Sequence, residues 1–234
     1  MKLPVLISVP HAGLKIPPEI RAYNLLTKKE IIKDSDEGAS EIYAVKSHVQ
    51  AYVTTDIARV FVDMNRSENN RTRDGVVKTH TCWDVPVFNK PLPVELIEVM
   101  IKKYHRPYHE KLTLSSSGVN FGIDCHTMAD IGPPISPDPG QKRPLICLGN
   151  ADGAFPDRWL TILKDCFQQS FQVEISLNKP FRGGNIIRTH ASEMPWVQME
   201  ISRTDVLDNK QKREKFLDAI RKFHSIITAI KPDE

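Results

Sequence analysis

The sequence predicts an α/β sandwich on a largely parallel or mixed sheet. Two observations carry this. Short β-branched or aromatic runs alternate with stretches of helical periodicity along the whole chain. Polar residues recur just where the strands are expected to end, which is where such sheets bind ligands.

The elements follow in order. Leu3–Val9 is a β-like run ended by Pro10. Ile42, Val45 and Val49 recur at helical spacing, and Arg59–Asp63 reads as a strand. Leu96, Met100 and Tyr104 share a helix face, with Pro93 suited to the first turn and Pro107 interrupting later. Val119–Asp124 and Pro144–Leu148 read as strands, and Leu160, Leu163 and Phe167 form an apolar helical stripe. Val173–Leu177 and Val197–Ser202 alternate as strands, the latter with Gln198, Glu200 and Ser202 on one face. In the last helix Phe216, Ile220, Phe223, Ile227 and Ile230 follow steps of four and three. The Pro/Gly-rich stretch 132–140 reads as a loop within one domain, residues 1–234, because chemistry-bearing segments flank it.

Composition limits the function. The chain has 234 residues, 40% hydrophobic and 26% charged, enough for a sizeable core. Lys plus Arg is 32 against 29 Asp plus Glu, a net charge of only +3, which argues against a general nucleic-acid or membrane binder. No apolar run approaches the ~18 residues of a membrane span, and the first residues lack a signal-peptide pattern. Cys82, Cys125, Cys147 and Cys166 are widely spaced, as suits free thiols in a reducing cytoplasm.

The strand ends carry His11, Asn65-Arg66, Asp124 with His126, and Glu200 with Arg203. His11 and His126 are natural ligands for a catalytic cation, which wants three protein ligands and one open position. The third could come from the carboxylate run Asp34-Ser35-Asp36-Glu37. Asp124 would be either the partner of a liganding imidazole or itself a ligand. The bland alternative is two unrelated polar residues at strand ends. Glu200 stands between Met199 and Ile201 and is either ion-paired or a desolvated base facing a cleft. Arg182 and Arg188 flank Gly183-Gly184 and could grip a carboxylate or an oxyanion, unless the pair of glycines is an ordinary hairpin.

Taken in order, Ser8–Gly13, Asp34-Ser35-Asp36, Val62–Arg66, Pro107-Tyr108-His109, Asp124–Thr127, Phe181–Gly184, Arg188 and Gln198-Met199-Glu200 resemble the N-formylglutamate amidohydrolase (deformylase) family. The resemblance implies a three-layer α/β/α, phosphorylase/hydrolase-like fold related to zinc carboxypeptidases and aspartoacylases. Asp63-Met64-Asn65-Arg66 also looks like the aspartoacylase segment whose Asn-Arg pair holds substrate. By the resemblance one Zn2+ is held by His11, His126 and Asp36, Glu200 is general base and acid, and Arg66 assists the reaction. Asn65, Arg182 and Arg188 then bind the substrate, a small N-acyl amino acid such as N-formylglutamate. Asp36 is followed by Glu37-Gly38 where the family usually shows an aromatic residue and a His, so Asp36 and Glu37 both stay open as the third ligand. Rival readings are a metallocarboxypeptidase or cell-wall amidase, a non-catalytic carboxylate-binding domain, and a two-metal nuclease on Asp56, Asp63 and Asp124. His80 and His109 are further candidates for the cleft, while His48 and His224 read as structural or exposed.

Overall fold

Six strands form one sheet in the order β2-β1-β3-β6-β4-β5 in the computed structural model, which describes residues 2–229. The strands are β1 (Leu3–Val9), β2 (Val49–Thr54), β3 (Phe121–Met128), β4 (Ile146–Gly149), β5 (Ile175–Leu177) and β6 (Trp196–Ser202). All neighbours run parallel except β4 and β6, so β4 and β5 point opposite to the other four. The helices are α1 (Lys28–Asp34), α2 (Ala39–Ile42), α3 (Val94–Met100), α4 (Arg106–Ser115), α5 (Asp157–Phe171), α6 (Asn185–His190) and α7 (Asn209–Ala229).

Both faces of the sheet are covered, so the expected three layers form. Val5, Ile7 and Val9 of β1, Ile123 and Cys125 of β3, and Val197, Met199 and Ile201 of β6 pack against α2, α5 and α7. The intervening residues point the other way, because side chains on a strand alternate with period two. On that second face Leu6 and Trp196 pack under α3, α4, α6 and the irregular segment 57–77. Gly122 of β3 is required there: a Cβ would stand 2.5 Å from the Trp196 ring.

Parallel strands buried on both faces should read as continuous apolar runs. Every residue of β3 and β6 is buried, yet toward their C-terminal ends the second face carries Asp124, His126, Gln198 and Glu200. The register sets Asp124 beside Gln198 and His126 beside Glu200. Four polar side chains are thereby collected on one patch of sheet. β3 runs on to Met128, so His126 lies inside the strand and not beyond it as the sequence suggested.

Two expected elements are corrected. Arg59–Asp63 is a turn, closed by Phe61 N–H on the Ala58 carbonyl. Its Val60, Phe61 and Val62 are fully buried in the second core, and that tertiary burial overrides their β propensity. The Ile42–Val49 helix ends at Ile42, and Val49 opens β2, whose run Val-Gln-Ala-Tyr-Val-Thr favours a strand. The Leu96 helix is present. It widens into a π-turn over Ile101–His105 before α4, where Pro107, with no N–H to donate, sits in the first turn. The final helix is confirmed through Ile227, and Ile230 lies outside the described residues. The four cysteines are free. Among the described residues no helix is long and apolar enough to cross a membrane.

The loop between β3 and β4 folds back on itself. Arg143 holds Asp138 through two bonds of 2.8 and 2.6 Å, and Ile135 N–H bonds the Cys82 carbonyl at 3.0 Å. It forms one wall of a cavity at the C-terminal ends of β1, β3 and β6.

Candidate metal centre and active site

Three side chains converge at that end of the sheet. His11 follows β1, Asp36 follows α1, and His126 lies on β3. His126 Nδ1 is 3.0 Å from Asp36 Oδ2 and 3.1 Å from His11 Nδ1, and His11 Nδ1 is 3.5 Å from Asp36 Oδ2. All three are buried.

Their protonation can be deduced from their partners. His11 Nε2 is 2.8 Å from Asp63 Oδ1, and His126 Nε2 is 2.8 Å from Asp124 Oδ2. An ionised carboxylate only accepts, so each Nε2 carries its proton and donates. The two Nδ1 atoms are left with lone pairs that face one another and Asp36 Oδ2. Three acceptors pointed at one place need a cation or a proton between them. In a tetrahedron with bonds of about 2.0 Å, ligand atoms are about 3.3 Å apart, which the three spacings match. An imidazole anchored through its far nitrogen by a carboxylate is the usual arrangement of a metal-binding histidine. The three residues therefore form a site able to hold a small divalent cation.

Asp36 and Asp63 are held as anions. Burial pushes Asp36 up, but His11 and His126 outweigh it and hold its pKa well below the ordinary value. Asp63 is likewise driven well down, by His11, Lys78, Arg66 and Arg59 against its burial. Burial pulls His126 down, and Asp124 and Asp36 outweigh it to hold its pKa well above normal, as expected where a proton stands in for the cation. Arg59 reaches Asp36 at 3.4 Å and Asp63 at 3.5 Å, and the Thr127 N–H donates to Asp36 Oδ2 at 3.1 Å. Fully buried Lys78 bonds Asp63 Oδ2 at 3.1 Å and also pairs with Asp74. Asp124 takes a further bond at Oδ1 from Ser8, which in turn accepts from the Tyr108 hydroxyl of α4, each 2.9 Å.

Glu200 stands beside His126 on the next strand and lines the same cavity of about 430 Å³. Its Oε1 accepts from Gln198 Nε2 at 2.9 Å, and Gln198 Oε1 accepts the Gly184 N–H at 2.6 Å. Burial pushes the Glu200 pKa up to about 7, with His126 only partly opposing. A carboxylate poised there can both take and return a proton.

Asn65 donates from Nδ2 to Asp124 Oδ2 at 3.1 Å and accepts the Ile186 N–H of α6 at 2.8 Å. Gly184 must be glycine for this, since a Cβ would come within 2.3 Å of the Asn65 amide. The Gly183-Gly184 pair thus opens α6 and is not a hairpin. Arg66 lines the cavity and is braced by Asp74 at 2.5 Å. Arg182 also lines it, two-thirds exposed and only 3.7 Å from Asp152. Trp83, Ile135 and Phe181 supply apolar walls.

Most of the expected residues therefore meet in one place: His11, Asp36, His126, Glu200, Asn65, Arg66 and Arg182. Arg188 does not. It is exposed on α6 and is absent from the cavity wall. Glu37 is exposed and turned away, which leaves Asp36 in the cluster. Asp124 is the partner of His126. Asp56 pairs with Lys15 on the surface, so the three aspartates of the nuclease reading do not meet in the cavity. His80 and His109 do not line it. The roles of Asp63 as the anchor of His11, of Arg59 and Lys78 beside it and of Gln198 at Glu200 were not assigned from sequence. Gln198 left a signal by sharing the strand face of Glu200, and Asp63 by standing in the Asp63–Arg66 segment of the resemblance.

A family model for N-formylglutamate amidohydrolase matches residues 3–206. The chain belongs to that family. Family membership places it among the hydrolases of amide bonds. It is 25% identical over 228 residues to an N-formylglutamate deformylase of Pseudomonas putida, covering 90% of this chain and 84% of the relative. A second N-formylglutamate deformylase, from Pseudomonas aeruginosa, is 23% identical over 89% of this chain and 84% of its own length. The fold is shared with the crystal structure of an N-formylglutamate amidohydrolase from Ralstonia eutropha, at a TM-score of 0.78, 17% identity, and coverage of 98% and 96% of the two chains. An Agrobacterium tumefaciens gene product has the same fold at a TM-score of 0.75 and 16% identity, over 97% of this chain and 91% of its own.

Proposed function

We propose that this family member hydrolyses the C–N bond of a small N-acyl amino acid, with N-formylglutamate as the first substrate to test, acting as a single catalytic domain with one Zn2+. The observation that carries this is the convergence of two anchored imidazoles and a carboxylate beside a buried carboxyl poised near neutrality. His11, Asp36 and His126 would hold the cation. When bound, such an ion polarises a carbonyl and lowers the pKa of a water toward ~7.

The remaining roles fall to the chain's own groups. Glu200 takes a proton from the attacking water as its oxygen bonds the acyl carbon, and returns a proton to the departing nitrogen as the C–N bond breaks. With N-formylglutamate the products are formate and glutamate. Gln198 holds the Glu200 carboxyl in place through its 2.9 Å bond. Arg66, fixed by Asp74, stabilises the negative charge that develops on the acyl oxygen. Asn65 and the loosely held Arg182 receive the substrate, with Arg182 able to pair with a carboxylate in a fork. Arg188 takes no part.

Glu200→Gln decides the central assignment. The variant should keep stoichiometric zinc and lose about two to four decades in turnover. Full activity would remove Glu200 from the mechanism. In the wild type, kcat/KM should rise with pH along an acid limb at or below about pH 7, where the Glu200 carboxyl loses its proton, the cation's charge moving the limb downward.

A further inference from the structure

Three buried or half-buried imidazoles stand behind the active-site loop without lining the cavity. His105 closes the π-turn and His109 follows one turn later on α4, their rings 4.4 Å apart. His190 ends α6 and stacks on His109 at 5.2 Å. Each makes a defined polar contact. His105 Nε2 is 2.8 Å from the Arg66 carbonyl, and His109 Nε2 is 2.9 Å from the Met64 carbonyl. His109 Nδ1 is 2.9 Å from His190 Nε2, and His190 Nδ1 is 3.0 Å from Glu193 Oε1, which also accepts from the Thr113 hydroxyl at 2.7 Å.

We infer that His105, His109 and His190 are positioning residues that clamp the backbone on both sides of Asn65 and so fix how Asn65 and Arg66 meet the substrate. The inference rests on the roles given to those two residues above.

The donor and acceptor pattern leaves one arrangement. A carbonyl only accepts, so His105 and His109 both carry a proton on Nε2. Burial, followed by the neighbouring His105 and His190, draws the pKa of His109 down to about 4, so the ring is neutral and its Nδ1 is an acceptor. His190 must then donate from Nε2. Its Nδ1 lies 3.0 Å from Glu193 Oε1. The chain runs from Glu193 through His190 and His109 to the Met64 carbonyl, with His190 Nε2 and His109 Nε2 donating toward the loop. His105 adds a second clamp, and its Nδ1 has no partner among the described residues, so its bond to the Arg66 carbonyl is the one the ring is placed to make. Space filling alone would be met by apolar side chains. The polar atoms here fall on carbonyls 64 and 66, the two that flank Asn65.

The test uses the full zinc-loaded chain and N-formylglutamate. His109→Phe keeps the ring and removes both bonds, and it should retain stoichiometric zinc while kcat/KM falls about 10- to 100-fold, the scale of a misplaced active-site group. His109→Gln, whose Nε2 can still donate to the Met64 carbonyl, should recover most of that loss. Amide exchange followed by mass spectrometry should quicken at residues 64–67 in His109→Phe and stay unchanged in β3 and β6. In an Arg66→Ala background His109→Phe should cost far less than alone, because both changes remove the same presented group. Wild-type kcat/KM and exchange in His109→Phe would overturn the inference, as would fully additive losses with Arg66→Ala, or His109→Gln as damaged as His109→Phe. Should His109→Phe not fold, Glu193→Gln at the solvent end of the chain decides: faster exchange at 64–67 supports the clamp, and unchanged exchange overturns it. If the wild type does not cleave N-formylglutamate, the substrate assignment falls, and the exchange measurements still decide the clamp.

Discussion

The two faces of β3 and β6 are made by the same strands and obey opposite rules. On one, Ile123, Cys125, Val197, Met199 and Ile201 meet α5 and α7 in a dry apolar layer. On the other, one residue along, Asp124, His126, Gln198 and Glu200 are just as buried but polar. The apolar face is stabilised by area removed from water and needs only fit. The polar face needs partners for its atoms, and draws them from other segments: Ser8, Asn65, Asp36 and Gly184. Toward the C-terminal ends of β3 and β6 a single-residue alternation thus sets an apolar layer against a polar patch, and perturbing one should have little effect on the other.

The largest expected effect lies on the polar face. His126→Ala should abolish stoichiometric zinc and activity together while the apolar layer keeps the chain folded. Metal retained at one equivalent in the purified variant would contradict the ligand set. On the opposite face, Ile123→Ala should cost about 2–5 kcal/mol in denaturant unfolding, and leave kcat of the folded fraction near wild type. A large loss of kcat there would show that the faces are not separable. Smaller again, Asp63→Asn keeps shape but removes the charge that anchors His11, and zinc affinity should fall about 10- to 100-fold by competition with a chelator.

The smallest effect is a pH dependence in the metal-free protein. The folded Glu200 pKa of about 7 lies above its ordinary 4.5. The folded state therefore binds this proton more tightly than the unfolded state does. Its contribution to stability is complete below about pH 4.5 and is lost as pH rises through about 7. Metal-free Glu200→Gln, which cannot ionise, should gain on the order of 1–3 kcal/mol over wild type between pH 5 and 8. An unchanged difference across that range would mean that the carboxyl is already charged when folded.

The apolar face was readable in advance because it is periodic. Val197–Ser202 alternates in the sequence as it does in the sheet, and the stripe through Phe216, Ile220 and Phe223 gave α7. The candidate metal cluster was readable for a different reason, since His11 and His126 stand in polar segments near the C-terminal ends of β1 and β3 and, with Asp36 after α1, fall in an order that resembles a family. Of their partners only Asp124 was. Asp63 and Lys78 lie in the irregular stretch 57–92, and no local rule joins Lys78 to Asp63 or Arg59 to Asp36. Such pairings are set by tertiary packing, which also turned the β-branched Arg59–Asp63 run into a buried turn. Arg188 shows the converse: a charged residue near a motif can face solvent outside the cavity wall.

The reversal of β4 has one more consequence. Because β4 pairs antiparallel with β6, the segment leaving β3 at Met128 re-enters the sheet at Ile146, opposite Ile201, on the side it left. Residues 129–145 never cross to the far edge, and both their anchors stand at the rim of the reaction chamber. Lengthening or shortening that span should leave strand order and the His11, Asp36 and His126 cluster in place. It is the place where the cavity could be reshaped by insertion and deletion alone.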